Sequence, residues 1–360
     1  MGQTSLVGTI EYTADKVGHA FVPQHHQACE ITLKVTVNRS NWNWFRGRRV
    51  LVLGGTGFMG QQLVCALSQL AADITLLANT RPLPETIADL SRAGCATIRV
   101  YHGDVRDLSL LSGLVAEQEV IYALAGRSGA VQSNKDPLLD LHVNCQGFLN
   151  LLESCRVNNP YARIVFPSSR LVYGRAKTLP VRETFSTKPT SIYGVHKLTC
   201  EHYLAVYHHS YGLPTVVLRI TNPYGPEHQP VQYTHGIINE FFRKAWRGES
   251  LTVFGNGRQL RDYIYIDDVT QALLMAGEVE AAVGQVFNVG SGQGVPLGEV
   301  AERIAELIGP VSVEHVPWPT DGRLVETGSF VADIERIRKA LRWAPQTTLQ
   351  DGLLKMKRVP

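Results

Sequence analysis

No charge of one sign dominates this chain, no two cysteines are spaced as a Cys-x-x-Cys pair, and no apolar run approaches the roughly 18 residues of a membrane-crossing helix. Each shortage excludes something. The 35 lysines and arginines face 32 aspartates and glutamates, a formal net charge of +3. That balance gives no signal for a nucleic-acid partner or a membrane surface. The small basic clusters Arg46/Arg48/Arg49 and Lys355/Lys357/Arg358 read as solvated ends. The six cysteines, Cys29, Cys65, Cys95, Cys145, Cys155 and Cys200, are scattered, as reduced thiols of a cytosolic protein would be. The first residues lack a basic-then-apolar signal pattern, so the expected protein is soluble and cytoplasmic. His25, His26 and Cys29 are metal-ligating types, but adjacent histidines without a second cluster rarely form a site, and no metal is expected.

What is present is the composition of a globular protein: 360 residues, 44% hydrophobic, with 32 glycines. That length suits one large α/β domain with a smaller lobe. Residues 1–47 stand apart as an extension of unassigned role. Within them Ile31–Val37 alternates like a half-exposed strand, and Asn41–Phe45 is a small aromatic cluster.

The main body starts near Arg49. Val50–Leu53 is an apolar, β-branched run. Gly54-Gly-Thr-Gly57-Phe-Met-Gly60 follows, then a helical pattern from Gln61 to Leu70. Strand, glycine turn and helix in that order suit a dinucleotide. Gly54 permits the tight turn, Gly57 lets backbone approach a pyrophosphate at the helix N-terminus, and Gly60 permits close helix–strand packing. Phe58 and Met59 fall in the same loop. The second strand, Ile74–Leu77, should end at a residue that reads the adenosine ribose. An acidic residue there favours NAD. Ala78, Asn79 and Arg81 stand there instead, which tilts the cofactor, NAD or NADP, towards NADP; Arg81 reads equally as a solvated loop residue.

Further strands and helices alternate at the spacing of right-handed βαβ units: strand Ala96–Tyr101, a helix to about Val115, strand Glu119–Leu124, helix 137–157, then the strand starting at Arg163. The sheet is therefore parallel and doubly wound. Ser169 lies at a strand's carboxyl end, where such sheets bind ligands. Tyr193 and Lys197 lie one helical turn apart on one face. A phenol beside a fixed ammonium is an acid–base device: the positive charge should pull the tyrosine pKa below its usual value of about 10.

Taken in order, these motifs resemble the extended short-chain dehydrogenase/reductases, specifically the NAD-dependent epimerase/dehydratase group that includes UDP-glucose 4-epimerase. The resemblance covers about residues 49–353. It rests on the glycine turn, Gly103-Asp104-x-Arg106-Asp107, Ser168-Ser169-x-x-Val172-Tyr173-Gly174, Tyr193-Gly-x-x-Lys197, Leu218-Arg-x-x-Asn222-Pro-Tyr-Gly-Pro226, Arg261-Asp262-Tyr263-Ile264 and Phe287-Asn-Val-Gly-Ser-Gly292. It implies a Rossmann domain over 48–222 and a substrate-binding lobe over 223–360, with 262–292 returning to the first.

The resemblance also implies roles. Ser169, Tyr193 and Lys197 form the catalytic set, with Tyr193 the acid/base. Asp104 and Val105 bracket the adenine, Leu124 and Ala125 line the cofactor, and Asn144 supports the helix backbone near the lysine. Ser168, Asn222, Arg261, Arg323 and Glu326 face a nucleotide-diphosphate sugar; two guanidiniums suit a diphosphate. Phe254 either packs on the base or anchors a turn. The family usually forms a homodimer through two helices, here about 137–157 and 191–211. One departure matters. Dehydratases and decarboxylases of the group usually carry a glutamate two residues after the catalytic hydroxyl, where this chain has Leu171, and leucine cannot move a proton. Epimerisation, most simply at carbon 4, is therefore the first reading. NADPH-dependent reduction of a 4-keto sugar is the second, and a catalytically silent dinucleotide-binding sensor the third. Arg170 reads either as a contact to an anionic sugar or as half of an internal ion pair.

Overall fold

The computed structural model describes residues 42–79, 83, 85–93, 96–226 and 236–358. Arg81, the histidines at 25 and 26, Cys29, Cys95 and the Ile31–Val37 alternation lie outside the described residues.

Among the described residues twelve strands follow in chain order: β1 (Arg49–Leu53), β2 (Asp73–Ala78), β3 (Thr97–His102), β4 (Val120–Ala123), β5 (Arg163–Ser169), β6 (Thr215–Ile220), β7 (Asn222–Tyr224), β8 (Leu251–Phe254), β9 (Leu260–Tyr265), β10 (Gln285–Val289), β11 (Gly294–Pro296) and β12 (Val313–Val316). Seven form one parallel sheet in the order β10-β6-β5-β4-β1-β2-β3. Its five inner strands are largely buried on both faces, which is why they read as continuous apolar runs, whereas the edge strand β3 stays partly exposed. Residues alternate between two cores: Val50 and Val52 pack into one, Leu51 and Leu53 into the other. Helices Phe58–Gln69 and Ile266–Glu278 cover the first face. Leu108–Val115, Gly147–Asn158 and Ile192–Tyr211 cover the second.

The strand order reverses between β1 and β4, so a crevice opens at their carboxyl ends. A three-stranded sheet, β11-β9-β7, and a two-stranded one, β12-β8, form the rest. The chain enters this second part at β7, returns with helix Ile266–Glu278 and β10, and leaves again at β11. At the amino end, Phe45 is buried and Trp44 meets it edge-on at 4.9 Å, with the Arg48 guanidinium 4.4 Å from the Trp44 ring centre.

The helix expected over 137–157 is not continuous. It runs Pro137–Leu141, widens for one turn over His142–Gln146, where the Gly147 amide reaches back to the His142 carbonyl, and continues as Gly147–Asn158. A widened turn of this kind marks functional sites more often than plain helix. Here it carries Asn144, whose side chain spends all its hydrogen bonds locally.

Candidate active site

The glycine turn is built as its sequence suggests, with unequal roles. Gly54 has φ +79°, and a Cβ there would lie 2.6 Å from the Ala125 nitrogen on the neighbouring loop. At Gly60 a Cβ would lie 2.3 Å from the Gly54 carbonyl oxygen. Gly57 meets nothing closer than 3.4 Å; it leaves the start of helix Phe58–Gln69 without a side-chain cap, and that first turn holds no acidic residue. The first amides of a helix lack intrahelical partners and form its positive end, so this terminus fits a pyrophosphate. Gly60→Ala is expected to push helix and turn apart, lowering stability by about 1–3 kcal/mol and loosening cofactor retention. Thermal unfolding and bound-nucleotide content check both.

Phe58 is buried in the core and Met59 is partly buried beside it. Leu124 and Ala125 follow β4 directly against Gly54. Asp104 accepts three hydrogen bonds from Arg106, which holds its carboxyl below the usual range. Val105 packs on the bare backbone of Gly147, where a Cβ would come within 2.7 Å of it. Ala78 is buried at the end of β2, and Asn79 is exposed just past it. Asn144 ties this side together. Its Oδ1 accepts from the Arg127 amide at 2.8 Å, and its Nδ2 donates to the Arg127 carbonyl and to Asp140, both at 3.0 Å.

Helix Ile192–Tyr211 starts at the same crevice. Ser191 caps it by accepting from the Gly194 amide, and the Tyr193 amide donates to Ser133 Oγ at 2.9 Å. A Cβ on Gly194 would lie 2.8 Å from the Leu171 carbonyl oxygen. The turn that carries Ser169 and the helix that carries Tyr193 therefore touch backbone to backbone. Ser169 Oγ accepts from the Leu171 amide at 3.2 Å. With that lone pair engaged, its proton is left to donate to a ligand oxygen. The Tyr193 hydroxyl makes no hydrogen bond among the described residues. Lys197 Nζ donates to the Pro167 carbonyl at 2.8 Å and lies 5.7 Å from the centre of the Tyr193 ring.

One electrostatic expectation is corrected here. The Tyr193 pKa is raised, first by burial and then by the carboxylate of Asp140 and by Cys200. Burial also lowers that of Lys197. The ammonium is drawn to the Pro167 carbonyl rather than to the phenol, and desolvation outweighs what attraction remains. Asp140 was not singled out from the sequence. It is buried, accepting from Asn144 and from His196 Nδ1 at 2.6 Å. The available signal was spacing: Asp140 and Asn144 lie four residues apart on one helical face, and His196 follows Tyr193 by three on the facing helix.

The residues expected at the substrate divide. Arg170, Asn222, Arg261 and Glu326 converge. Arg170 Nε donates to Asn222 Oδ1 at 3.2 Å, and Asn222 Nδ2 donates to the Asp262 carbonyl at 2.8 Å. Arg261 donates to both oxygens of Glu326, at 2.7 and 2.8 Å, and to the Gly328 carbonyl. Arg323 stands exposed on the short helix Thr320–Val325, with no side-chain partner among the described residues. Ser168 turns away. Strand alternation puts it on the opposite face of β5 from Ser169, and its hydroxyl is buried against Glu201. Phe254 lies 5.4 Å from the ring of Trp318, a residue the sequence did not flag. A separate hollow of about 480 Å³ lies at the opposite, amino end of the sheet; its arginines 48, 49 and 163 are engaged with Glu119, the Glu117 carbonyl and the Gly277 carbonyl.

The glycine turn, the uncapped helix start, Ser169 and the start of the helix that carries Tyr193 and Lys197 all lie at the carboxyl-end side of the parallel sheet, where such sheets bind ligands. Residues 50–290 match the NAD dependent epimerase/dehydratase family. A UDP-glucose 4-epimerase of Mycolicibacterium smegmatis is 32% identical over 311 residues, 85% of this chain and 96% of that one. The crystal structure of UDP-glucose 4-epimerase from Thermus thermophilus, in complex with NAD, superposes with a TM-score of 0.76 at 30% identity, covering 86% of this chain and 98% of that one. The enzyme from Thermotoga maritima, solved with UDP-glucose, gives 0.76 at 28% identity over 86% and 97%. The chain belongs to the NAD dependent epimerase/dehydratase family, within the extended short-chain dehydrogenase/reductases.

Proposed function

We propose that this protein is a nucleotide-diphosphate-sugar epimerase, acting most simply at carbon 4. The observation that carries the reading is the meeting of Ser169, on its turn, with the helix of Tyr193 and Lys197, beside the glycine turn. Bound oxidised nicotinamide supplies a hydride acceptor and a positive ring charge. Tyr193 would take the proton of the sugar hydroxyl as its phenolate, the form that the cofactor's positive ring charge would favour, and later return it. Ser169 donates a hydrogen bond to the same oxygen. Lys197, anchored on Pro167, fixes the floor of the site. Leu171 offers no proton carrier for loss of water. Arg261 and the exposed Arg323 suit the diphosphate, and the Phe254–Trp318 pair offers an aromatic face to the base.

The cofactor of this reading is NAD. The tilt towards NADP rested on Ala78 and Arg81. Of these only Ala78 lies among the described residues, and the related enzyme from Thermus thermophilus carries NAD. Protein denatured after purification is expected to release NAD, identified by mass. Release of NADP, together with a need for added NADPH, would favour the reductase instead. Incubation with UDP-, GDP-, CDP- and dTDP-sugars separates the reactions: an epimerase gives an isomer of unchanged mass without added cofactor, a reductase a product heavier by two hydrogens.

The reading includes a homodimer. Leu138, Leu141, Val157, Val195, Val206 and Tyr211 are exposed on helices Pro137–Leu141, Gly147–Asn158 and Ile192–Tyr211. Exposed apolar side chains on these helices suit a twofold contact. Among the described residues no helix is long and apolar enough to cross a membrane. Light scattering is expected to give twice the chain mass, and Val206→Arg to shift it towards the monomer.

A further inference from the structure

Arg170 is a half-buried arginine of an unusual kind. Arg219 and Arg261, both deep in the protein, each hold a carboxylate with two or more hydrogen bonds, to Glu201 and Glu326 respectively. Arg170 has no carboxylate within ion-pair distance among the described residues. Its guanidinium donates to two neutral oxygens, Asn222 Oδ1 at 3.2 Å and Thr327 Oγ1 at 2.9 Å, and lies 5.6 Å from the centre of the Phe330 ring. A guanidinium has five N–H donors in a planar fork, so Nη2 is uncommitted. Burial and the like charge of Arg261 push its pKa down to about 10 against the opposing pull of Glu326 and Asp262, so it is still charged at neutral pH. A second unsatisfied group stands nearby. Tyr263, two residues along β9 from Arg261 and hence on the same strand face, has a buried hydroxyl with no hydrogen-bond partner.

A half-buried cation with a free donor edge and no carboxylate in contact suits an arriving anion. The internal ion pair that the sequence left open is not there. The exposed Arg323, with no side-chain partner among the described residues, is left for the diphosphate. Arg170 also follows Ser169 directly, within about 3.8 Å along the backbone. It shares the turn of Ser169, which meets the helix of Tyr193 at Leu171.

We infer that Arg170 selects a sugar bearing its own anionic group, a hexuronic acid with its carboxylate at carbon 6. The inference rests on the epimerase reading for the placing of the sugar. The uncommitted Nη2 edge takes the carboxylate in a planar, charge-assisted contact, with Asn222 and Thr327 holding the fork in place.

The test uses the purified protein with its cofactor and two probes that differ only at carbon 6, UDP-glucuronic acid and UDP-glucose. Affinities by calorimetry and turnover by product analysis are measured for the wild type, Arg170→Met and Arg170→Lys. The wild type is expected to bind the uronate about 10- to 100-fold more tightly than the neutral sugar. In Arg170→Met that ratio falls to near one, and Arg170→Lys keeps part of it. A wild-type ratio of one or below overturns the proposal without any variant, as does a ratio that survives in Arg170→Met. Equal weakening of both probes in Arg170→Met places the guanidinium on the diphosphate and also overturns it. Turnover decides a separate matter: a strong uronate preference in binding with no isomer formed removes the epimerase reading and leaves the recognition by Arg170 standing.

Discussion

Tyr193→Phe is expected to lower turnover by about 10²–10⁴-fold, the usual worth of a positioned acid–base group, while leaving the cofactor in place. The phenol makes no hydrogen bond among the described residues, so removing its oxygen breaks nothing in the fold. The loss should therefore fall on kcat with the unfolding temperature unchanged. Near-normal turnover in this variant would sink the mechanism. A companion experiment fixes the electrostatics. The Tyr193 pKa is raised by burial and by the Asp140 carboxylate, so activity rises as pH increases towards the ionisation of the phenol. Asp140→Asn removes a negative charge that favours the protonated phenol. The rising limb of the pH–rate profile is then expected to move to lower pH. A shift to higher pH, or none, would show that Asp140 does not act on Tyr193 through its charge.

The second large effect concerns stability. Arg219 on β6 is buried and donates to both oxygens of Glu201 on helix Ile192–Tyr211, at 2.6 to 3.1 Å. It also donates to the Tyr173 hydroxyl at 2.9 Å, which in turn donates to Asn288 at 2.7 Å. Ser168 completes the cluster. Arg219→Met leaves the Glu201 carboxylate buried and uncompensated, at an expected loss of about 3–5 kcal/mol in unfolding free energy. Glu201→Met added to Arg219→Met is expected to restore much of that loss, because it removes the stranded charge. Denaturant titration of the three variants reads the cycle. A single variant within about 1 kcal/mol of wild type would show the pair to be solvated rather than buried.

The doubly wound sheet was legible because a buried parallel strand leaves a distinctive mark: a short β-branched apolar run, as at Val50–Leu53 and Ile74–Leu77, closed by small residues. The glycine turn was legible for the same local reason, since each glycine answers to a contact within a few residues or to the adjoining strand. Features set by distant segments were not. Nothing near Ser168 announces that Glu201 and Arg219 converge on it, so its neighbour's role was carried over to it by adjacency alone, although strand alternation separates the two. The widened turn over His142–Gln146 changes hydrogen-bond register without changing the apolar pattern, so periodicity passes over it. The pKa of Tyr193 was misjudged because sequence spacing gives the neighbouring charge but neither the depth of burial nor the carboxylate supplied by another helix.

The amide of Leu171 tethers one lone pair of the Ser169 hydroxyl. A rotor held in this way has fewer bearings open to it, so its proton is biased away from the Leu171 amide. An oxygen that stays hooked on such a pin can act as the pivot about which a ring swings through half a revolution. Both faces of the carbon then reach the same hydride source without the sugar leaving the protein.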